Sequence, residues 1–258
     1  HSRSPELHAA AYEVLGLGWE YSRRQVGVAD FTAALGSLDT SWRGLSLTMP
    51  LKEQARRVAD SLDAHAVLTG AVNTLVLGDS VRGFNTDVGG IVDALSDEGL
   101  TQLDSARILG AGATAASALV AVSEMGAARV DVRARRPDRA APLVALGAQL
   151  GVDVSVQDFA AGADQVALTV ATLPGGATVD PDTITRISAA GGTLFDVAYS
   201  PWPSELAMRW AGGPAVSGLG MLLHQAVRQI RVFRDGDPSH RLPDEDAVVT
   251  AMRAVLSS

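Results

Sequence analysis

Gly110-Ala111-Gly112-Ala113-Thr114-Ala115 is the stretch whose reading decides the fold. It follows an apolar run from Ala106 and opens a long alanine-rich segment, so it sits where a strand turns into a helix. The pattern is Gly-x-Gly-x-x-Ala. The first glycine allows the tight turn, the second lets backbone approach a pyrophosphate, and the helix behind it offers free N–H groups and the positive end of its dipole. Alone, the hexapeptide is also that of an ordinary strand-to-helix turn; its context makes it a dinucleotide fingerprint.

Working outward, strands are predicted at 128–132, 152–156, 166–171 and 193–197, with helical stretches between them. Such spacing belongs to a parallel sheet with crossover helices, a Rossmann-type domain. Because it starts only after about residue 100, another domain occupies the segment before it. There, Ser4 can cap and Pro5 begin a helix carrying Leu7, Ala10, Ala11 and Val14 on one stripe. A strand at 19–26, a helix at 28–35, a strand at 44–48 and a helix begun by Pro50 follow. Residues 72–77 and 81–84 form a β-hairpin, and a bridging helix follows Asp87. After Ser217 the chain is helical at 219–233 and 244–256. The expected fold class is α/β in two domains: an N-terminal α/β substrate-binding domain, 1–87 completed by the C-terminal helices of 219–258, and a Rossmann NADP-binding domain, 88–218.

Composition narrows the function. A formal charge of −8 over 258 residues argues against a general nucleic-acid binder. No apolar run is long enough to span a membrane and no signal pattern opens the chain, so a cytoplasmic protein with a small-molecule partner is expected. Without cysteine there is no disulfide or thiolate site, and the five histidines show no metal-ligand spacing, so no metal is expected. The assembly is left open, a homodimer included. Among 21 basic residues only Lys52 is lysine, and the only asparagines are Asn73 and Asn85, each followed by threonine. In a sequence so depleted, these survivors mark positions where replacement fails. A lysine, unlike an arginine, can release and regain a proton in a protein.

Cofactor choice turns on the end of the second strand, Val130-Asp131-Val132-Arg133-Ala134-Arg135-Arg136. An acidic residue past that strand would hold the ribose of NAD, whereas arginines accommodate the 2′-phosphate of NADP. Alternation of Val130 and Val132 puts Asp131 inside the strand. Arg133, Arg135 and Arg136 point to NADP.

Seven ordered blocks resemble the shikimate dehydrogenase family over nearly the whole chain. Besides the glycine loop they are His1-Ser2-Arg3-Ser4-Pro5, Thr48-Met49-Pro50-Leu51-Lys52, the Gly70 to Leu75 segment with Asn73-Thr74, Gly83-Phe84-Asn85-Thr86-Asp87, the Asp196 to Pro201 segment with Tyr199, and Gly218-Leu219-Gly220-Met221-Leu222-Leu223-His224-Gln225. The resemblance implies NADP-linked, reversible reduction of 3-dehydroshikimate to shikimate, in the pathway to chorismate and the aromatic amino acids. It implies that Lys52 and Asp87 are the catalytic pair, with Lys52 as proton donor. Ser2 and Ser4 would hold the substrate carboxylate, and Thr48, Asn73, Asp87 and Gln225 its hydroxyls or carbonyl, with Tyr199 nearby. Gly110, Ala111, Gly112, Ala113, Thr114, Ala115, Arg133, Arg135, Arg136, Thr172, Val197, Gly218 and Met221 would line the cofactor.

Each residue also has a plainer reading: Ser4 as a helix cap, Thr48 as the approach to a helix, Gln225 on a solvated face, Lys52 and Asp87 as a mere salt bridge. The chain departs from the family in Ser46, Ala113 and Ala171. Family members also carry a strand ahead of the opening turn, and that strand is expected to precede His1. Quinate dehydrogenase using NAD, a non-enzymatic NADP sensor that would have lost Lys52 or Asp87, and a folate-linked dehydrogenase of similar layout are the alternatives.

Overall fold

The computed structural model describes residues 2–257. In chain order the elements are α1 (Ser4–Val14), α2 (Phe31–Gly36), β1 (Gly44–Ser46), α3 (Lys52–Val58), β2 (Ser61–Leu62), α4 (Ala64–Thr69), β3 (Thr74–Val76), β4 (Arg82–Phe84) and α5 (Asp87–Asp97). Then come β5 (Ser105–Leu109), α6 (Ala113–Glu124), β6 (Arg129–Arg133), α7 (Ala141–Leu150), β7 (Asp153–Gln157), β8 (Leu168–Ala171), α8 (Pro181–Ala189), β9 (Thr193–Asp196), α9 (Glu205–Met208), β10 (Ala215–Ser217), α10 (Leu219–Asp235) and α11 (Glu245–Ser257). They fall into two units, one built from residues up to Gly90 and from Leu222 onward, the other from Ile91 to Met221. The chain leaves the first unit within α5 and re-enters it within α10.

In the first unit the sheet order is β1-β3-β4-β2. The expected hairpin forms, with Thr74 opposite Phe84 across antiparallel β3 and β4. Leu7, Ala11 and Tyr12 of α1 pack on Leu223, Ala226, Val227 and Ile230 of α10 and on Val248 and Met252 of α11. A second cluster, Phe31, Ala55, Ala66, Val72 and Leu75, lies under the sheet.

One expected strand is absent: residues 19–26 run without ladder pairing. A strand needs a partner as well as propensity. β1 pairs only with β3, and a cavity of about 510 Å³ lies between β1 and this segment, walled by Trp19, Tyr21, Phe31, Trp42 and Phe233. The helix expected at 28–35 begins only at Phe31, after a turn.

The second unit is a six-stranded, all-parallel sheet in the order β7-β6-β5-β8-β9-β10. All four residues of β8 are buried, as expected of a strand covered on both faces. Its short edge strand β10 was not apparent in the sequence pattern. No helix among the described residues is long and apolar enough to cross a membrane.

Candidate active site and nucleotide site

Lys52 and Asp87 each occupy the first residue of a helix, α3 and α5. The structure brings them together, with Lys52 Nζ 2.5 Å from Asp87 Oδ2. Their side chains are only 14% and 7% exposed, so this is no solvated surface pair. The other carboxylate oxygen, Oδ1, accepts from Asn73 Nδ2 at 2.7 Å. The Asn73 Oδ1 in turn accepts the Thr86 N–H at 2.9 Å and the Thr74 hydroxyl at 2.8 Å. Asn85, preceding the helix, accepts the N–H groups of Asp87 and Val88 through its Oδ1 and so caps α5. Both asparagines of the chain are therefore spent on placing Asp87. Asn73 was expected on the substrate; its amide here donates to the Asp87 carboxylate. Asn85 and Thr86 were not expected as site residues, although both stand in the Gly83 to Asp87 block and Asn85 is one of only two asparagines.

Gln225 lies in the same unit, on the α10 face turned toward the start of α5. A Cβ on Gly90 would come within 2.9 Å of the Gln225 Cβ, and one on Gly89 within 2.3 Å of the Arg228 guanidinium carbon. The glycine pair is what lets α10 approach the turn carrying Asp87. Gln225 Nε2 donates to Leu222 O at 2.9 Å.

Ser4 does not cap α1. It is the first helical residue, no side chain caps that end, and the Ser4 N–H donates to Ser2 Oγ at 3.3 Å. Ser2 and Ser4 thus sit side by side at a helix N-terminus, a place suited to an anion. His1, which opens the same motif, lies outside the described residues. Thr48 is exposed beyond the end of β1.

In the second unit the expected cofactor residues gather at one edge of the sheet. Gly110 follows β5, Arg135 and Arg136 follow β6, Thr172 follows β8, Val197 follows β9 and Gly218 follows β10, all at carboxyl ends of parallel strands; Met221 lies in the first turn of α10. That edge is where open α/β sheets bind ligands. Gly110 has φ +118, and a Cβ there would stand 2.5 Å from Thr172 Oγ1. Gly112, at the N-cap of α6, faces open space and no side chain caps the helix. The N–H groups of Ala113, Thr114 and Ala115 are therefore left for a bound anion, and the turn fits a pyrophosphate. Gly218 lies so close to the Val197 backbone that any side chain would collide with it.

Arg133 requires a correction. It is 1% exposed, its Nε donates to Asp131, and its terminal nitrogens donate to the carbonyls of Asp158, Ala161 and Gly162. Buried, with four of its five N–H groups engaged inside the fold, it is not placed to meet a cofactor phosphate at the surface. Asp131 is likewise consumed, by Arg107 at 2.8 Å and Arg133 at 2.8 Å, which removes it as a ribose ligand. Exposed Arg135 and Arg136 remain, joined by Arg139 on the short 3-10 turn that follows, a residue the sequence reading passed over. Tyr199 belongs to this unit, part-buried in the loop after β9.

A Rossmann strand order with an open glycine turn, together with a shielded lysine–aspartate pair in a separate α/β unit, defines a two-unit dinucleotide-dependent dehydrogenase. Residues 1–75 match the family described as "Shikimate dehydrogenase substrate binding domain". The chain belongs to the shikimate dehydrogenase family. It is 37% identical over 240 residues to the shikimate dehydrogenase (NADP(+)) of Methylobacterium radiotolerans, covering 88% of this chain and 85% of that one. Among solved structures, the shikimate dehydrogenase of Mycobacterium tuberculosis superposes with a TM-score of 0.85 at 39% identity over 97% of this chain and 95% of that one. The Thermus thermophilus shikimate 5-dehydrogenase, solved in complex with NADP(H) and shikimate, has a TM-score of 0.80 at 28% identity, covering 99% and 95% of the two chains.

Proposed function

We propose that this chain is an NADP-dependent shikimate dehydrogenase, interconverting 3-dehydroshikimate and shikimate on the route to chorismate and the aromatic amino acids. The observation that carries the reading is the chain's sole lysine, shielded from solvent and held 2.5 Å from Asp87. Bound NADPH supplies a hydride to the carbonyl carbon of the substrate. Negative charge then builds on the carbonyl oxygen, and Lys52 Nζ donates the proton that neutralises it. Asp87 Oδ2 accepts from the ammonium and fixes its direction, while Asn73 stops the carboxylate from rotating. In the oxidative direction the neutral amine takes the hydroxyl proton. Ser2 and Ser4 supply hydroxyls for the substrate carboxylate, and Thr48 and Gln225 partners for ring hydroxyls. A small polyol acid calls for such a set, because each donor or acceptor left unpaired counts against an analogue.

The 2′-phosphate of the cofactor falls to Arg135 and Arg136, with Arg139 beside them, through charge-assisted hydrogen bonds. The sensor alternative loses its expected signature, since Lys52 and Asp87 are both present and paired. The test is a set of four oxidation assays followed at the nicotinamide absorbance, shikimate and quinate each with NADP and NAD. Shikimate with NADP is expected to give by far the largest kcat/KM. Preference for quinate with NAD would transfer the chain to the quinate reading, and no turnover with any pair would transfer it to the sensor.

A further inference from the structure

Gln229 stands one helical turn beyond Gln225 on α10 and is 2% exposed. Its Oε1 accepts from the Ser46 hydroxyl at 2.9 Å. Its Nε2 donates, at the long distance of 3.5 Å, to the main-chain oxygen of Asn73, which also accepts the Leu47 N–H at 2.7 Å. The buried ring of His8 on α1 lies close to Gln229, but no atom meets its Nε2 at hydrogen-bonding geometry. His8 is fixed in turn by a contact with the Tyr12 hydroxyl at 3.0 Å and by stacking on Tyr21 at 4.0 Å between centroids. One amide thus joins the end of β1 to the residue whose side chain holds Asp87. The Ser46 hydroxyl sets which end of the amide faces Asn73, since an amide without it could turn over.

We propose that Gln229 is a positioning residue for the reaction: through Ser46 and the Asn73 main chain it fixes the asparagine that orients Asp87 and hence Lys52. It touches neither substrate nor cofactor. The proposal rests on the dehydrogenase reading above. A structural amide would lower thermal stability when removed and leave the turnover of the surviving folded enzyme unchanged. A positioning amide lowers kcat while substrate contacts, and so KM, stay intact, because a displacement of about 1 Å can cost about a hundredfold in rate.

The test is steady-state kinetics of Gln229→Met, which keeps the length and loses the amide, with active enzyme counted by NADP binding. The expected result is a kcat lower by about ten- to a hundredfold, with KM for shikimate and NADP within about twofold. Ser46→Ala deletes one hydroxyl, is easily tolerated in folding, and is expected to lower kcat by a few fold in the same pattern. Unchanged kcat in Gln229→Met overturns the proposal; should that variant not fold, unchanged kcat in Ser46→Ala overturns it. Failure of the underlying reading is distinct, since the unmodified enzyme would then not oxidise shikimate with NADP.

Discussion

Asp87 accepts one hydrogen bond from an ammonium and one from an amide, and the two differ in what their loss should do. Asn73→Ala deletes the amide donor and leaves the lysine. A hydrogen bond to a charged group contributes about 2 kcal/mol, so if its full effect falls on the transition state kcat drops about thirtyfold. Steady-state assay of that variant with saturating shikimate checks this, and a kcat within twofold of normal would show that Asp87 orients itself. At this scale much is legible in the sequence, because scarcity marks the positions. In a chain almost emptied of lysine and asparagine, Lys52, Asn73 and Asn85 stand out, and all three meet at Asp87. Gln229 and Ser46 were not legible. Glutamine and serine are not scarce here, and their pairing joins residues 183 positions apart, which no local pattern reveals.

Elements decide which residues a strand offers and which it consumes. Arg133 is the last residue of β6 and points into the fold, whereas Arg135 and Arg136 lie beyond the strand end and are exposed. The double variant Arg135→Ala/Arg136→Ala is therefore expected to raise KM for NADP by about a hundredfold or more, at about 1.5–3 kcal/mol for each of two charge-assisted bonds, and to leave KM for NAD nearly unchanged. Titration of initial rates with each cofactor reads this out, and equal losses with both would mean that the arginines do not contact the 2′-phosphate. Alternation of Val130 and Val132 placed Asp131 inside β6 but could not show that two arginines converge on it there. The same limit explains residues 19–26, whose β-forming side chains are visible in the sequence while the absence of a ladder partner is not. The conformation of the glycine turn was legible, since it is set locally: Gly110 takes a positive φ and Gly112 faces open space.

Over the whole molecule, two buried groups make stability depend on acid. Burial lowers the pKa of His8 to about 3, against 6.5 for an ordinary histidine, with Gln229 opposing the shift. The unfolded chain therefore takes up a proton below pH 6.5 that the native protein refuses, so His8 costs stability progressively as pH falls from 6.5 to about 3. Glu245 adds a second loss at lower pH. Burial alone would raise its carboxyl, but hydrogen bonds from Arg231, the Leu242 N–H and Arg241 outweigh it and bring the pKa to about 2. Its contribution is complete above about pH 4.5 and disappears as pH falls toward 2. Denaturant unfolding at a series of pH values should show stability declining from pH 6.5 downward. His8→Phe should flatten the upper part of that decline and Glu245→Gln the lower; a decline unchanged in both variants would place the acid sensitivity elsewhere.

The most direct measurement is the turnover of Lys52→Arg in shikimate oxidation with NADP. Arginine keeps the positive charge and the reach to Asp87 but cannot exchange a proton at working pH. The account predicts a kcat lower by about a hundredfold to ten-thousandfold, with NADP binding retained. Near-normal turnover would contradict it and reduce the Lys52–Asp87 pair to a tie between two helices.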